Sequence, residues 1–329
     1  MAALETTSAT MIDWAKLLDP DGDVADVVEM LSQDNEILQD IIMVQANGIL
    51  SHRVTIRTGL GGPGTWRRLY QGIQPTRATT AQVEEAMGNL EDLTEVDKDE
   101  ADLNGNTLKF RLSQNEAKME MLSQQMATTI IYGDAEQYPD RFTGLAPRFN
   151  AISGAANGDN ILDGGGVGSD NTSIWLIPWD EKSVFGLFPK DSKVGLQHDD
   201  MGVQLIQNSD GSKYKAYVDH YKWELGICVK DWRRVVRIAN IDVTTLTSDA
   251  AAGADLFDLL AQALEIIKGM GNIRIYCNRK ISSFMRRQRT KAQNVVISMD
   301  EVAGKKVLAV DGNPVRRVDA ILNNEDAIA

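Results

Sequence analysis

The segment from Tyr214 to Val229 constrains the fold more than any other part of the chain, because it predicts one unusually long β-strand. Its aromatic and aliphatic side chains alternate with polar ones, and a period of two places the two sets on opposite faces of a sheet. The segment would span roughly 50 Å at about 3.3 Å per residue, whereas most globular strands reach about a third of that length. The alternative is two ordinary strands joined by a kink at Gly226. A single strand of this length favours a slab-like, extended subunit.

A tight turn precedes this strand. The sequence Asn208-Ser209-Asp210-Gly211 is typical of a β-hairpin, because glycine tolerates the positive φ that such a turn requires. The apolar run from Val203 to Ile206 is therefore predicted to pair with the long strand.

Composition narrows the class of protein. The chain has 329 residues, of which 43% are hydrophobic and 25% charged, an ordinary globular mixture. Its 34 basic and 47 acidic residues give a net charge of −13. That charge argues against a dedicated nucleic-acid-binding protein, whose contact surface should be basic, and it keeps a concentrated protein soluble. It would also suit a wall that lies beside packed nucleic acid without adhering to it.

Cysteine usage and hydropathy set the expected compartment. Cys228 and Cys277 lie far apart without a CxxC or Cys/His cluster, which predicts two buried thiols rather than a disulfide framework or a zinc site. The N-terminus lacks the pattern of a signal peptide, and no run of about 20 apolar residues predicts a membrane span. We therefore expect synthesis in a reducing cytoplasm and no contact with a membrane.

The N-terminal half is predicted to contain an arm, a projecting hairpin and one long helix. Residues 1–50 carry two short helical patterns, Met11–Leu18 and Val24–Val44, without enough apolar residues for a core of their own. The hairpin consists of the strand His52–Thr58, a Gly-rich tip and a returning strand Thr65–Ile73. The acidic run from Glu84 to Asp102 is typical of solvated, mobile surface.

Apolar residues at helical spacing predict the long helix from Thr107 to Tyr132, roughly 39 Å in length. The stripe consists of Leu108, Leu112, Met119, Leu122, Met126 and Ile130. A Gly-, Asn- and Asp-rich region follows, in which Asp163–Asn171 is predicted to be a flexible loop. After the long strand, helices at Leu256–Met270 and Ile281–Lys291 alternate with short strands, which favours a compact α/β unit.

Candidate chemistry is sparse. Gly59, Gly61 and Gly64 match GxGxxG, but Pro63 lies inside the motif and no helix follows to meet a pyrophosphate, so a hairpin tip is the better interpretation. Asp19, Asp21 and Asp23 resemble the start of a calcium loop without its glycine, which favours a turn and helix cap. The three histidines, His52, His198 and His220, lie far apart without a catalytic motif. We therefore predict no catalytic residues, no metal site, no cofactor and no enzymatic activity.

One basic island stands out in an acidic chain. Between residues 279 and 291 lie six bases and no acid: Arg279, Lys280, Arg286, Arg287, Arg289 and Lys291. A contact with nucleic acid or phosphate is one interpretation. We favour a salt-bridged face that meets an acidic neighbour, such as the Glu84–Asp102 run of another subunit.

Four stretches of the chain carry a resemblance to a known family. They are the ending Gly312–Ile321, the segment Lys230–Asn240 at the end of the long strand, the strand and helix of Ile273–Lys291, and the helix Thr107–Tyr132. Together with the order of the elements, they resemble the major capsid proteins of tailed bacteriophages. The resemblance implies an α+β fold of that capsid type. Its parts would be an N-terminal arm at 1–50, an extended hairpin loop at 51–80, and a peripheral domain with the spine helix and long strands at 81–240. Residues 241–329 would form an axial domain and a C-terminal strand that returns to the peripheral region.

The resemblance also implies an assembly function. Many copies would form hexamers and pentamers and close into an icosahedral shell around double-stranded DNA, so that the protein resides in the virion. The hairpin would reach over an adjacent subunit, with Arg67, Arg68, Gly61, Gly62 and Trp66 as candidate contacts. The helices near 256–270 and 281–291 would face the axis of the capsomer. A separate scaffolding protein, a portal and a decoration protein are the expected partners.

Two alternatives remain open from the sequence. A bacterial nanocompartment shell protein shares the fold but encloses protein cargo, and DNA inside purified particles would distinguish the two. A soluble α/β enzyme could instead bind a nucleotide at the Gly59–Gly64 loop, which a nucleotide titration would reveal.

Overall fold

A computed structural model describes residues 32–102, 107–208, 210–247, 253–267, 272–291, 297–302 and 305–329, and for residues between 289 and 307 it describes the backbone only. The predicted helix Met11–Leu18 and the residues Asp19, Asp21 and Asp23 lie outside these ranges. The chain divides into two compact units. The first comprises the described parts of Met1–Asp34, Asn89–Ala127 and Gly195–Trp223, and the second comprises those of Asn35–Gly88, Thr128–Val194 and Glu224–Ala329.

The described ranges contain both helices and strands, as the predicted α+β class requires. The helices are α1 Ile37–Asp40, α2 Lys98–Asp102, α3 Thr107–Tyr132, α4 Leu256–Ile266 and α5 Arg279–Lys291. The strands are β1 Met43–Gln45, β2 Ser51–Gly59, β3 Thr79–Ala86, β4 Gly88–Asp97, β5 Ile161–Asp163, β6 Asn171–Pro178, β7 Val184–Phe188, β8 Leu196–Gln207, β9 Lys213–Val229, β10 Val236–Asp242, β11 Ile273–Cys277, β12 Ile297–Val302, β13 Lys305–Val310 and β14 Asn313–Arg317.

The long strand is confirmed as one uninterrupted element, β9, of 17 residues. In the first unit it pairs antiparallel with β8, from Leu196 opposite Trp223 to Gln207 opposite Lys213. The predicted pairing of Val203–Ile206 with the long strand is therefore also confirmed, and Gly211, between the two strands, has a φ of 87°. The first unit also holds β4, α2 and most of α3, and Val96, Ala101 and Phe110 form a small hydrophobic cluster there.

Gly226 does not kink β9, because its ladder to β7 continues from Val229 to Gly226. Its missing side chain instead makes room for the turn between β3 and β4. A Cβ at position 226 would lie 2.8 Å from Met87 Cγ and 3.0 Å from the Ala86 carbonyl oxygen.

We expect Gly226→Ala to destabilise the protein by about 1–3 kcal/mol, because overpacking forces neighbouring atoms to move. Denaturant unfolding of the isolated subunit measures this loss. Gly72→Ala is the matched control, since a Cβ there would meet no atom within 4 Å. Equal stability of the two variants would contradict the prediction.

The second unit is built on a seven-stranded mixed sheet in the order β12-β13-β14-β11-β6-β10-β5. The interior strand β6, between β11 and β10, is buried along its whole length. On it lies a hydrophobic cluster to which α4 contributes Leu260 and Ala263, and α5 contributes Ile281 and Met285. The predicted α/β unit in the C-terminal part is thus confirmed as helices on a sheet.

The segment before the hairpin differs from its prediction. Of the predicted helix Val24–Val44, the described residues form only the short α1, and β1 follows as a strand parallel to β7. Asn35 pairs with Val318, and Tyr276 donates a hydrogen bond to Asp40 Oδ2 at 3.0 Å. Residues 35–45, which lack a core of their own, therefore pack on their own subunit.

The returning strand of the hairpin was placed too early in the sequence. Thr65–Ile73 has no regular secondary structure, and β2 pairs instead with β3, from Ser51 opposite Ala86 to Gly59 opposite Thr79. The prediction was wrong because strand propensity was highest in the loop, whereas the register of a hairpin is set by the pairing of its two legs.

Two further expectations need correction. The acidic run Glu84–Asp102 is part of β3, β4 and α2, and Glu85 in it is buried. Helix α3 has the predicted bounds, but Leu108 and Leu112 at the start of its predicted stripe are exposed. In the first half of the helix the buried residues include Asn115, a polar side chain that periodicity cannot assign to a core.

Candidate assembly surfaces

The connection between β2 and β3 in the second unit carries a group of exposed large apolar side chains. Residues 60–78 have no regular secondary structure, and every residue from 60 to 77 is exposed. Trp66 is 99% exposed and Tyr70 101%. The other large apolar side chains of this segment are Leu60, Leu69 and Ile73. We call residues 60–78 the projecting loop. Such a concentration of exposed aromatic and aliphatic side chains is typical of a surface that binds another protein.

Glycines allow the two legs of the projecting loop to approach each other closely. A Cβ on Gly61 would lie 3.2 Å from the Arg77 carbonyl oxygen, and one on Gly62 would lie 3.1 Å from Thr76 Cγ2. Gly61 also has a φ of 88°, in the left-handed region that favours glycine. The glycines of the GxGxxG match thus allow the two ends of the projecting loop to lie close together. No helix directly follows the motif; the next element is strand β3.

A buried ion pair fixes the root of the hairpin. Arg148 donates two hydrogen bonds to the Glu85 carboxylate, both at 2.6 Å, and its Nε donates to the Gly144 carbonyl oxygen at 3.0 Å. Such a bidentate pair is strong and geometrically specific. The base of the hairpin is therefore fixed, whereas among the described residues the projecting loop beyond Gly59 forms no comparable ion pair.

The candidate contact residues lie together in this loop. Arg67, Arg68, Gly61, Gly62 and Trp66 are all exposed. Arg67 Nε lies 3.4 Å from the Arg68 carbonyl oxygen, and the Arg68 amide donates to the Gln71 side chain. Sequence reasoning named Trp66 but not Tyr70, which has a φ of 68°. A positive φ in a bulky residue is not visible in a sequence.

A second polar cluster, in the first unit, joins α3 to the β8–β9 hairpin. Arg111 forms ion pairs with Asp219 at 2.8 Å and with Asp200 at 2.9 Å. Asn115 donates to the other Asp219 oxygen at 3.0 Å, and His198 Nε2 lies 2.9 Å from Asp219 Oδ1. Burial of Asp219 opposes ionisation, but the hydrogen bonds from Asn115, His198 and Arg111 outweigh it and hold the pKa below the ordinary carboxyl value.

This lowered pKa predicts acid sensitivity. A carboxyl group whose pKa is lower in the folded state stabilises the protein above its unfolded value of about 4, and that contribution is lost as pH falls through the folded value. We expect Asp219→Asn to lower the free energy of unfolding most at neutral pH and progressively less below about pH 4. Denaturant unfolding between pH 7 and pH 2 measures the difference, with the exposed Asp159→Asn as control. A difference that stays constant with pH would contradict the prediction.

A third cluster anchors the segment after β14 within the second unit. Arg237 is almost fully buried and donates to Glu325 Oε2 at 2.8 Å, to the Phe149 carbonyl oxygen at 2.7 Å and to Ser173 Oγ at 3.0 Å. The Tyr132 hydroxyl donates to the Glu325 carboxylate. Burial and the neighbouring Glu325 raise the pKa of Tyr132 above its ordinary value. The chain end is thereby bound to β6, β10 and α3.

In the described residues no group of three or more His, Cys, Asp or Glu side chains could hold a metal ion. Both cysteines are buried and free, as predicted, and burial raises the pKa of each thiol to about 12. Within the described ranges, no helix combines the length and apolar character needed to cross a membrane.

A long strand, a long helix, a sheet packed with two helices and a projecting apolar loop together define a shell-forming subunit of the type found in tailed phages. The chain belongs to the family of major capsid protein GP7, whose family model matches residues 19–329. It is therefore the major capsid protein of a phage, a structural subunit of the virion shell.

One solved structure supports this assignment, and two more distant ones were also matched. A chain of bacteriophage Epsilon15, determined by cryo-EM, has 38% sequence identity and a TM-score of 0.77, and the match covers 100% of this chain and 99% of that one. The bacteriophage JBD30 capsid matches with 9% identity and a TM-score of 0.49, over 88% of this chain and 92% of that one. The capsid of a native GTA particle matches with 10% identity and a TM-score of 0.47, over 71% and 99%. No curated protein matches the sequence.

Proposed function

We propose that copies of this chain form hexamers and pentamers that close into an icosahedral shell around double-stranded DNA. The single observation that carries the proposal is the projecting loop, whose five large apolar side chains are exposed in the subunit. In a shell they would be covered by an adjacent copy, with Arg67, Arg68 and Trp66 at the contact and Gly61 and Gly62 shaping the neck. Large obligate interfaces of this kind bury thousands of Å².

The charge of the chain is consistent with packaged DNA as contents. A net charge of −13 disfavours tight or sequence-specific binding, so that DNA can be condensed and released without adhering to the wall. The proposal includes a separate scaffolding protein to direct closure, a portal at one vertex and a decoration protein on the outer surface. The subunits would be made in the host cytoplasm before they assemble.

Electron microscopy of the protein produced alone and together with its neighbouring genes tests the proposal. We expect shells, sheets or capsomers in at least one of the two preparations, and nuclease-protected double-stranded DNA in particles from infected cells. Particles that enclose protein cargo instead of DNA would favour a nanocompartment. A stable solitary monomer under both conditions would contradict the assembly proposal.

A further inference from the structure

Two helices of the second unit carry opposite charges on their exposed faces. Helix α4 contains Asp258 and Glu265 and no base, whereas α5 contains six bases and no acid. Both helices bury their apolar faces in the same hydrophobic cluster. The charged side chains consequently remain on the solvent side, and Asp258, Glu265, Lys280 and Arg287 are all exposed.

These charges find little compensation within one subunit. Among the residues that the structure describes, Lys280, Arg287 and Glu265 form no ion pair; Arg287 lies over the Phe284 ring at 4.0 Å. Asp258 accepts a hydrogen bond from Gln262 at 2.7 Å. Lys280 also lies in the first turn of α5, where the helix dipole disfavours positive charge. An anionic partner would relieve both the repulsion along α5 and the unfavourable dipole.

The spacing of the charges matches between the two helices. Asp258 and Glu265 are seven residues apart, as are Lys280 and Arg287. Seven residues are about two helical turns, or about 10.5 Å along the axis. Two helices that cross at a shallow angle of about 20° stay in contact over such a length. Both acids of one helix can therefore face both bases of the other at the same time.

We propose that the acidic face of α4 on one copy docks against the basic face of α5 on a second copy, with Asp258 and Glu265 opposite Lys280 and Arg287. The inference rests on the proposed assembly function and assigns a contact within it. Because two different surfaces meet, the contact is head-to-tail, and within the proposed capsomers its repetition closes into a ring. A second copy is favoured over nucleic acid because the same chain presents a complementary face with matched spacing.

Charge reversal tests this pairing in the full-length chain produced with its neighbouring genes. We expect Lys280→Glu/Arg287→Glu and Asp258→Lys/Glu265→Lys each to reduce the yield of capsomers and shells by about tenfold or more, because like charges then face each other. The quadruple variant, which combines both charge reversals, restores the attraction and should recover most of the yield. Glu181→Lys/Lys182→Glu, at exposed positions outside both helices, is the matched control. Sedimentation and electron microscopy measure assembly, and circular dichroism verifies folding.

Engineered cysteines provide a test that does not depend on charge. With the native thiols buried, Glu265→Cys combined with Lys280→Cys, or with Arg287→Cys, should link neighbouring copies under mild oxidation, and which pair reacts faster reports the relative direction of the helices. A head-to-tail ring gives a ladder up to pentamers or hexamers on a non-reducing gel. A product that stops at dimers, or no product from either pair, would overturn the proposal.

The outcomes separate this inference from the assembly function itself. If the unmodified chain forms no capsomers, the proposed function fails. If it assembles and the reversed variants assemble equally well, only the α4–α5 contact is wrong. If reversal on α5 leaves shells intact but lowers their DNA content, and reversal on α4 has no effect, the partner of α5 is DNA rather than a second copy.

Discussion

Removal of residues 62–76, with Gly61 joined to Arg77 through a short Gly-Ser turn, abolishes shell formation and leaves the subunit folded. The junction is feasible because the two backbones are already close, as the 3.2 Å from a Cβ on Gly61 to the Arg77 oxygen indicates. The deleted residues have no regular structure and are all exposed, so the core loses no contact. Their loss removes Trp66, Leu69, Tyr70 and Ile73, most of the surface that a neighbouring copy would cover.

Sedimentation and electron microscopy of the shortened chain, produced with its neighbouring genes, measure this effect. We expect soluble monomers with unchanged thermal unfolding and no shells. Trp66→Ala should lower the yield less, and Thr55→Ala, an exposed site on β2 before the loop, serves as the control. If the shortened chain formed normal shells, the projecting loop would not be part of the assembly contact.

Arg237→Ala and Glu325→Ala should each lower the free energy of unfolding by about 3–5 kcal/mol, because each leaves an uncompensated charge in the interior. The pair has side-chain exposures of 5% and 6%, so water cannot take the place of the lost partner. Arg237 also holds the Phe149 carbonyl oxygen and lies over the Trp175 ring at 5.1 Å. Its removal therefore disconnects β10, β6 and the chain end at once.

Denaturant unfolding of the isolated subunit measures this loss. Arg233→Ala is the matched control: its partner Asp231 is two residues away and Arg233 is 55% exposed, so we expect a change below about 1 kcal/mol. Arg237→Met/Glu325→Met should cost less than the two single changes together, since no lone charge remains. If Arg237→Ala or Glu325→Ala were as stable as Arg233→Ala, the Arg237–Glu325 pair would not stabilise the fold as proposed.

Local patterns predicted the long elements well. The bounds of α3 and the unbroken β9 follow from side-chain periodicity and from the hairpin turn at 208–211. The helices α4 and α5 were likewise predicted, because their apolar residues repeat at a regular spacing. The family was recognisable from four short stretches taken in order.

Contacts between distant residues could not be predicted. Glu85 looked like one acid in a solvated run, and its burial depends on Arg148, 63 residues away. Residues 35–45 lack a core of their own, yet Asn35, Asp40 and Met43 find partners near residues 318, 276 and 186. The position of β3 depends on its register with β2, which no local propensity encodes.

The hairpin has a fixed base, at Glu85 and Arg148, and a projecting loop without such support, and this difference bears on the curvature of a closed shell. If the shell combines rings of five and six copies, as proposed, identical chains must absorb a change of curvature somewhere. Glu85 and Arg148 hold the base of the hairpin rigid, which confines that adjustment to the stretch past Gly59. In such a shell, a loop that adjusts on a fixed base would let one sequence occupy both five-fold and six-fold rings without deforming the rest of the subunit.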